Sequence, residues 1–240
     1  MSTPTTPRAA GAPATVEVRP PDGLPRLPPG QVTASHWPVL HHGEVPAEAQ
    51  RRVPVTASDT AAQPTADPGA ASSWTVRLFG AVGQVRTVTL AQLQAVSPAT
   101  VITADVHCVT GWSLLSNRWD GVRFSALEDL AAPLPQARFL MAHAAGGWTT
   151  NLSLADCRRE GVGLVWARNG AALAPAHGGP LRLLVPHLYF WKSCKWLVGL
   201  EWMLDDRPGF WERDTKYKNL DPWHAVRDGR GEAHATDPAG

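Results

Sequence analysis

The chain has 240 residues, 44% of them hydrophobic, and a formal net charge of +1 from 22 basic and 21 acidic side chains. That balance leaves no electrostatic footprint for nucleic acid or an anionic membrane, and no apolar run approaches the ~20 residues of a membrane span. Three Cys, at 108, 157 and 194, are too few and odd in number for a disulfide scaffold; with no apolar segment at the N-terminus, they lead us to expect a reduced, cytoplasmic protein.

Residues 1–25 are rich in Pro, Thr, Ala and Gly without periodicity and read as a disordered leader. From residue 26 to 228 we expect one domain, starting with an extended arm through Leu27-Pro28-Pro29-Gly30-Gln31 and broken by a flexible insertion at 53–72, with a disordered tail at 229–240. Residues 74–82 alternate as a strand, with 84–89 as its returning partner. Thr89 is placed to cap a short helix through Ala95. A β-branched run at 101–106 precedes Cys108 and a strand-breaking Thr110-Gly111, and 119–122 reads as a turn. Ser125 to Glu128 fits a capping box opening a helix to about Ala131. Residues 139–144 read as a strand, Ser153 opens a helix that Gly161 ends, and 164–173 reads as a hairpin around Asn169-Gly170. Residues 181–185 and 196–203 are the last strands. Short strands joined by short helices, without a βαβ repeat, predict an α+β fold built on mixed sheet.

Two places carry chemistry. Cys108 sits where a strand ends, at the mouth of a sheet, and is either an inert buried thiol or a soft metal ligand. Downstream, His177-Gly178-Gly179-Pro180-Leu181-Arg182 lets backbone approach a ligand closely and aims a guanidinium from a strand start. Lys192, Ser193 and Lys195 add two ammonium groups and a hydroxyl inside an aromatic loop, donors suited to phosphate. His36, His41, His42, His107, His143 and His177 keep a zinc or iron site open as a rival, although no pair has structural-zinc spacing. The sequence contains no nucleotide-binding glycine loop, no Cys-x-x-Cys-His haem attachment and no iron–sulfur cysteine set.

His107-Cys108-Val109-Thr110-x-Trp112-Ser113, His177-Gly178-Gly179-Pro180-Leu181-Arg182-x-x-Val185-Pro186-His187 and Tyr189-Phe190-Trp191-Lys192-Ser193-x-Lys195-Trp196 resemble the small bacterial sulfite-oxidase-like, molybdopterin-dependent oxidoreductases. Pro38-Val39-Leu40-His41-x-Gly43, Pro208-Gly209-Phe210-Trp211-Glu212 and Asp221-Pro222-Trp223 extend the resemblance over most of 26–224, outside the insertion. The resemblance implies an α+β domain around one molybdopterin with Cys108 ligating molybdenum. It implies cofactor contacts at His41, His107, His143, His177 and Arg182, and a phosphate-binding turn at Ser193, Cys194 and Lys195. It also implies oxygen-atom transfer with a separate electron-transfer partner protein. Leu40, Ser113 and Trp166 stand where sulfite oxidases hold their substrate with two Arg and a Tyr. The expected substrate is therefore a small-molecule oxide or oxyanion other than sulfite. The alternative is a non-catalytic molybdopterin carrier or sensor on the same fold.

Overall fold

A computed structural model describes residues 12–39, 73–96, 99–214, 221–227 and 233–235. Ala14–Glu17 (β1) and Val32–Thr33 (β2) are short strands of the N-terminal segment. Thr75–Gly80 (β3) and Arg86–Thr89 (β4) form the expected antiparallel pair. Helix Leu90–Gln94 (α1) follows because Thr89 caps it reciprocally: the Thr89 hydroxyl accepts the Gln92 N–H at 3.1 Å, and the Gln92 side chain accepts the Thr89 N–H at 2.8 Å. Thr100–His107 (β5) and Trp112–Arg123 (β6) make the longest pair, followed by helix Phe124–Ala131 (α2). Next come Phe139–Ala144 (β7) and Thr149–Ser153 (β8). Helix Leu154–Cys157 (α3) starts where the Ser153 hydroxyl accepts the Asp156 N–H. Gly163–Arg168 (β9) and Ala171–Ala172 (β10) flank the Asn169-Gly170 turn as a hairpin. Arg182–Leu184 (β11), Leu197–Met203 (β12), helix Phe210–Asp214 (α4), Ala225–Arg227 (β13) and Ala233–Ala235 (β14) complete the described elements.

One sheet runs β1-β5-β6-β9-β10, with β11 added to β9 and β2 to β6; the second runs β4-β3-β12-β7-β8. Parallel pairs (β1·β5, β3·β12) sit among antiparallel ones, so the architecture is α+β with mixed sheets. β9 shows how the first sheet serves two cores. Leu164 joins a cluster with Trp74, Leu78, Leu127 and Leu200, while its neighbour Val165 joins Ile102, Trp119, Leu184 and Phe190. Trp37 and Trp112 pack on this second, aromatic-rich cluster, and the chemistry-bearing residues gather beside it.

Several expectations are corrected. The leader expected over 1–25 contains β1, paired with β5 from Ala14 against Thr100 to Glu17 against Thr103. Its four residues bury only Val16, too short a pattern to stand out from Pro- and Thr-rich flanks. The tail expected at 229–240 contributes β14 to a two-stranded sheet with β13. Helix α2 begins at Phe124 with Arg123 at its cap and no side-chain cap bond, so the box at Ser125 does not form. The turn expected at 119–122 is the end of a continuous β6, where the register shifts between Asp120 and Gly121. Gly121 is there for close strand approach, because a Cβ on it would lie 2.2 Å from the Leu164 carbonyl oxygen. Gly121→Ala is therefore expected to destabilise by about 1–3 kcal/mol through overpacking, read as a lower urea midpoint. The 53–72 insertion lies outside the described residues. Among the described residues, no helix is long and apolar enough to cross a membrane.

Candidate functional site

The β5–β6 connection presents Cys108 in a tight turn. Its N–H donates to the Trp112 carbonyl at 2.8 Å, and the Gly111 N–H, from a residue at φ 103°, donates to the Cys108 carbonyl at 3.0 Å. The N-terminal arm clamps this turn from the side. Gln31 Nε2 donates to the Cys108 carbonyl at 3.0 Å, and Gln31 Oε1 accepts from the Ser113 hydroxyl at 3.1 Å. His107 Nδ1 lies 2.8 Å from that same hydroxyl and, since the hydroxyl proton points to Gln31, serves as the donor. The three side chains are buried. The thiol itself lies 3.2 Å from the Thr110 hydroxyl. His107, expected at the cofactor, is buried in this scaffold with its ring against Trp223 at 4.9 Å.

The downstream motif folds into a cation cradle. Gly178 is left-handed (φ 94°), and a Cβ on it would come within 2.8 Å of the Lys195 side chain, so glycine allows Lys195 to lie across the turn. Arg182 is 1% exposed; Nη1 donates to the His177 carbonyl at 2.8 Å and Nη2 to the Ser193 carbonyl at 2.7 Å. Its guanidinium also lies over the Phe190 ring at 4.1 Å. Lys195 Nζ donates to the Ala176 carbonyl at 3.1 Å. Burial pulls the Lys195 ammonium down to about 7, Arg182 pushes the same way, and the Cys108 sulfur pulls back. The Cys108 turn meets this cradle at Phe190: Trp112, whose carbonyl accepts the Cys108 N–H, packs edge-on against that ring at 6.3 Å, and the Arg182 guanidinium covers it. Burial, then Arg182, Lys195 and Arg168, hold His177 at about 4. Its ring stacks on Trp37 at 4.0 Å, and its buried Nδ1 has no hydrogen-bond partner among the described residues.

The predicted residues thus divide. Cys108, His177, Arg182 and Lys195 come together. Ser193 is buried in the loop's own scaffold, its hydroxyl accepting the Val185 N–H at 2.9 Å. Cys194 is a buried neutral thiol, pushed up to about 12 by burial. Lys192, expected beside Lys195 as an anion donor, points the other way. It is 0% exposed, donates to the Asn151 carbonyl at 2.7 Å and side-chain oxygen at 3.1 Å, and pairs with Glu212. His143 lies on β7 in the other sheet, where Nε2 meets Glu201 Oε2 at 3.0 Å and the ring contacts Phe79 at 5.4 Å; the structure does not bring it to the cradle. His41 lies outside the described residues. Among the described residues, no group of three or more His, Cys, Asp or Glu could hold a metal ion, which leaves the zinc or iron rival without a ligand set there. Sequence reasoning missed Gln31, Trp37, Asn117 and Arg168, none of which carries a local spacing signal.

The neutrality of His177 has a pH consequence. An unfolded histidine titrates near 6.5, so between 6.5 and 4 the unfolded chain binds a proton that the folded chain does not. Stability of cofactor-free protein should therefore fall as pH drops through that window. His177→Gln should flatten this limb, read as urea midpoints at pH 7.5 and 5.

A family model described as the oxidoreductase molybdopterin binding domain matches residues 61–211. The chain belongs to that family. The uncharacterized oxidoreductase YuiH of Bacillus subtilis is 38% identical over 202 residues, 84% of this chain and 91% of YuiH. The putative protein-methionine-sulfoxide reductase subunit YedZ1 of Azospira oryzae is 26% identical over 143 residues, 59% of this chain and 53% of YedZ1. The crystal structure of the sulfane dehydrogenase SoxCD from Paracoccus pantotrophus superposes with a TM-score of 0.55 at 19% identity, covering 73% of this chain and 51% of that one. The fold is therefore shared with SoxCD, of whose chain this one spans about half.

This molybdopterin-binding oxidoreductase has residues that suit its cofactor, molybdenum–molybdopterin. Arg182 has no carboxylate among its described hydrogen-bond partners, so the cradle holds buried positive charge that an anionic ligand would balance. The orphaned His177 Nδ1 adds an unsatisfied buried group, and the Cys108 sulfur is a soft donor.

Proposed function

We propose that the chain is an oxygen-atom-transfer oxidoreductase in which Cys108 is the protein ligand of molybdenum and His177, Arg182 and Lys195 hold the anionic end of the pterin. The observation that carries this reading is the packing of the Cys108 turn, through Trp112, and of Arg182 on the same Phe190 ring, which sets a soft donor and the cation cradle side by side. When bound, the cofactor supplies two-electron chemistry between the Mo(VI) and Mo(IV) levels. The protein's part is positional. Arg182 and Lys195 meet negative charge in a desolvated setting, while Gln31 and Ser113 hold the Cys108 turn rigid so that the sulfur is presented in one orientation.

The proposed substrate class rests on two positions, Ser113 and Trp166, where the resemblance places substrate-holding residues. Ser113 is engaged by Gln31 and His107, and Trp166 packs on the hydrophobic core. Neither supplies the charge that a sulfite dianion needs. A small S-oxide, N-oxide or singly charged oxyanion fits better. Electrons come from or go to a separate partner protein, a reading supported by the relative YedZ1 being named a subunit. A reducing, cytoplasmic setting suits three buried cysteines that form no disulfide.

Elemental analysis of purified protein, paired with fluorescence of the oxidised pterin released on denaturation, tests the reading. Stoichiometric molybdenum and pterin are expected, and their absence from protein made in a molybdopterin-competent host sinks it. Turnover of any S-oxide or N-oxide with reduced viologen dye would exclude the carrier alternative.

A further inference from the structure

Arg168 closes β9 immediately before the Asn169-Gly170 turn, and that turn is fastened to the neighbouring strand from both sides. The Asn169 N–H donates to the Arg118 carbonyl at 2.7 Å, and the Arg118 N–H donates to Asn169 Oδ1 at 2.9 Å. The Arg168 side chain is fastened too. Its Nε donates to Asn117 Oδ1 at 2.7 Å. Asn117 is 0% exposed, and its amide nitrogen donates to the carbonyls of Leu114 at 2.8 Å and Ala104 at 3.3 Å. With both amide protons committed to backbone, the amide cannot flip, and its oxygen is fixed toward the guanidinium. The head of Arg168 lies 4.9 Å from the Trp37 ring centroid, and Trp37 in turn stacks on His177 of the cradle.

This is an unusual investment in a cation without an acidic partner. Asn117 holds one nitrogen of the fork, and among the described residues Nη1 and Nη2 have no hydrogen-bond partner. The residue is half-buried, and burial lowers its proton affinity with no carboxylate opposing the effect. A partly desolvated guanidinium held by a neutral amide keeps its charge and the paired donors of its Nη1 and Nη2 for a ligand.

We infer that Arg168 is an oxyanion-binding residue of this site, its planar fork aimed by Asn117 at a small oxyanion group. The inference rests on the molybdopterin reading above and deepens it. The oxyanion comes either from the substrate or from the phosphate of the cofactor, and the same guanidinium chemistry serves both.

The test uses holoenzyme as purified, compared with Arg168→Met and Arg168→Lys. Molybdenum and released pterin are measured first; a wild-type protein without them defeats the parent reading and leaves the role of Arg168 to be judged on anion binding. Nitrate and chlorate, both singly charged, are then titrated calorimetrically, with dimethyl sulfoxide as a neutral control. If the oxyanion belongs to the substrate, Arg168→Met keeps its cofactor but weakens binding of either anion by about tenfold or more. Dimethyl sulfoxide binding stays unchanged, and Arg168→Lys recovers part of the loss. If it belongs to the cofactor, Arg168→Met loses molybdenum and pterin together and Arg168→Lys retains more of both. Unchanged cofactor content, together with anion binding that is unaltered by the substitution or undetectable in every form, overturns the inference.

Discussion

Cys108→Ser is expected to reduce turnover by more than about 100-fold while the protein still folds and still carries pterin. Substitutions in the outer shell of a metal site already cost about 10–100-fold, so losing the ligand itself should exceed that range. A hydroxyl is a harder, far less acidic donor than a thiol and is a poor substitute toward a soft centre. The turn should survive because it is held by backbone and by Gln31: the Cys108 N–H to Trp112, the Gly111 N–H to Cys108, and Gln31 Nε2 to the Cys108 carbonyl. The sulfur's described hydrogen bond is to Thr110, which a serine oxygen can also make. The cofactor's anionic end is assigned to Arg182 and Lys195, which the substitution does not touch. Reduced-viologen assays, circular dichroism and pterin fluorescence on the same preparation check all three parts. A variant with wild-type activity would remove Cys108 from the metal.

Glu212→Ala should cost about 3–5 kcal/mol of stability, because it leaves a buried ammonium without its counter-charge. Lys192 is 0% exposed and the Glu212 side chain only 5%. Burial lowers the Lys192 proton affinity, and Glu212 opposes that effect. The Asn151 carbonyl and side chain remain after the substitution, but they are dipoles rather than charges. Glu212 also accepts from the Thr150 hydroxyl at 3.1 Å, so removing it loosens the seat of α4 on β8 as well. Chemical denaturation measures the loss. The combined Lys192→Met, Glu212→Leu variant should regain most of it, because buried pairs replaced by apolar residues of similar volume are often neutral. Retention of wild-type stability by Glu212→Ala would mean that Lys192 finds another partner or is already uncharged.

The site's two poles were legible in the sequence for physical reasons. Cys108 follows a β-branched run and precedes Thr-Gly, so its place at a strand end is a local property. Gly178 and Arg182 likewise announce a tight turn and a strand start. The division of labour within 192–195 was not legible: Lys192 and Lys195 are the same residue type in one loop, and the 3₁₀ turn Phe190–Lys192 sends them to opposite sides. His143 carried a family resemblance, yet its partners Glu201 and Phe79 come from other strands of its own sheet. Gly121 read as a turn because glycine marks both turns and close strand crossings, and only the pairing with β9 tells them apart. Arg168 was invisible because its meaning lies in Asn117, which is 51 positions earlier.

The residues around the Cys108 turn come from both extremities of the described chain. Gln31 grips it from the arm, and Trp223 packs on His107 while its indole N–H donates to the Pro25 carbonyl at 2.8 Å, a contact spanning 198 positions. Such a clasp cannot close while the C-terminal stretch is still inside a ribosome. The arm and the Cys108 turn are therefore joined to Trp223 only once synthesis has carried that residue clear of the ribosome, 198 positions after Pro25.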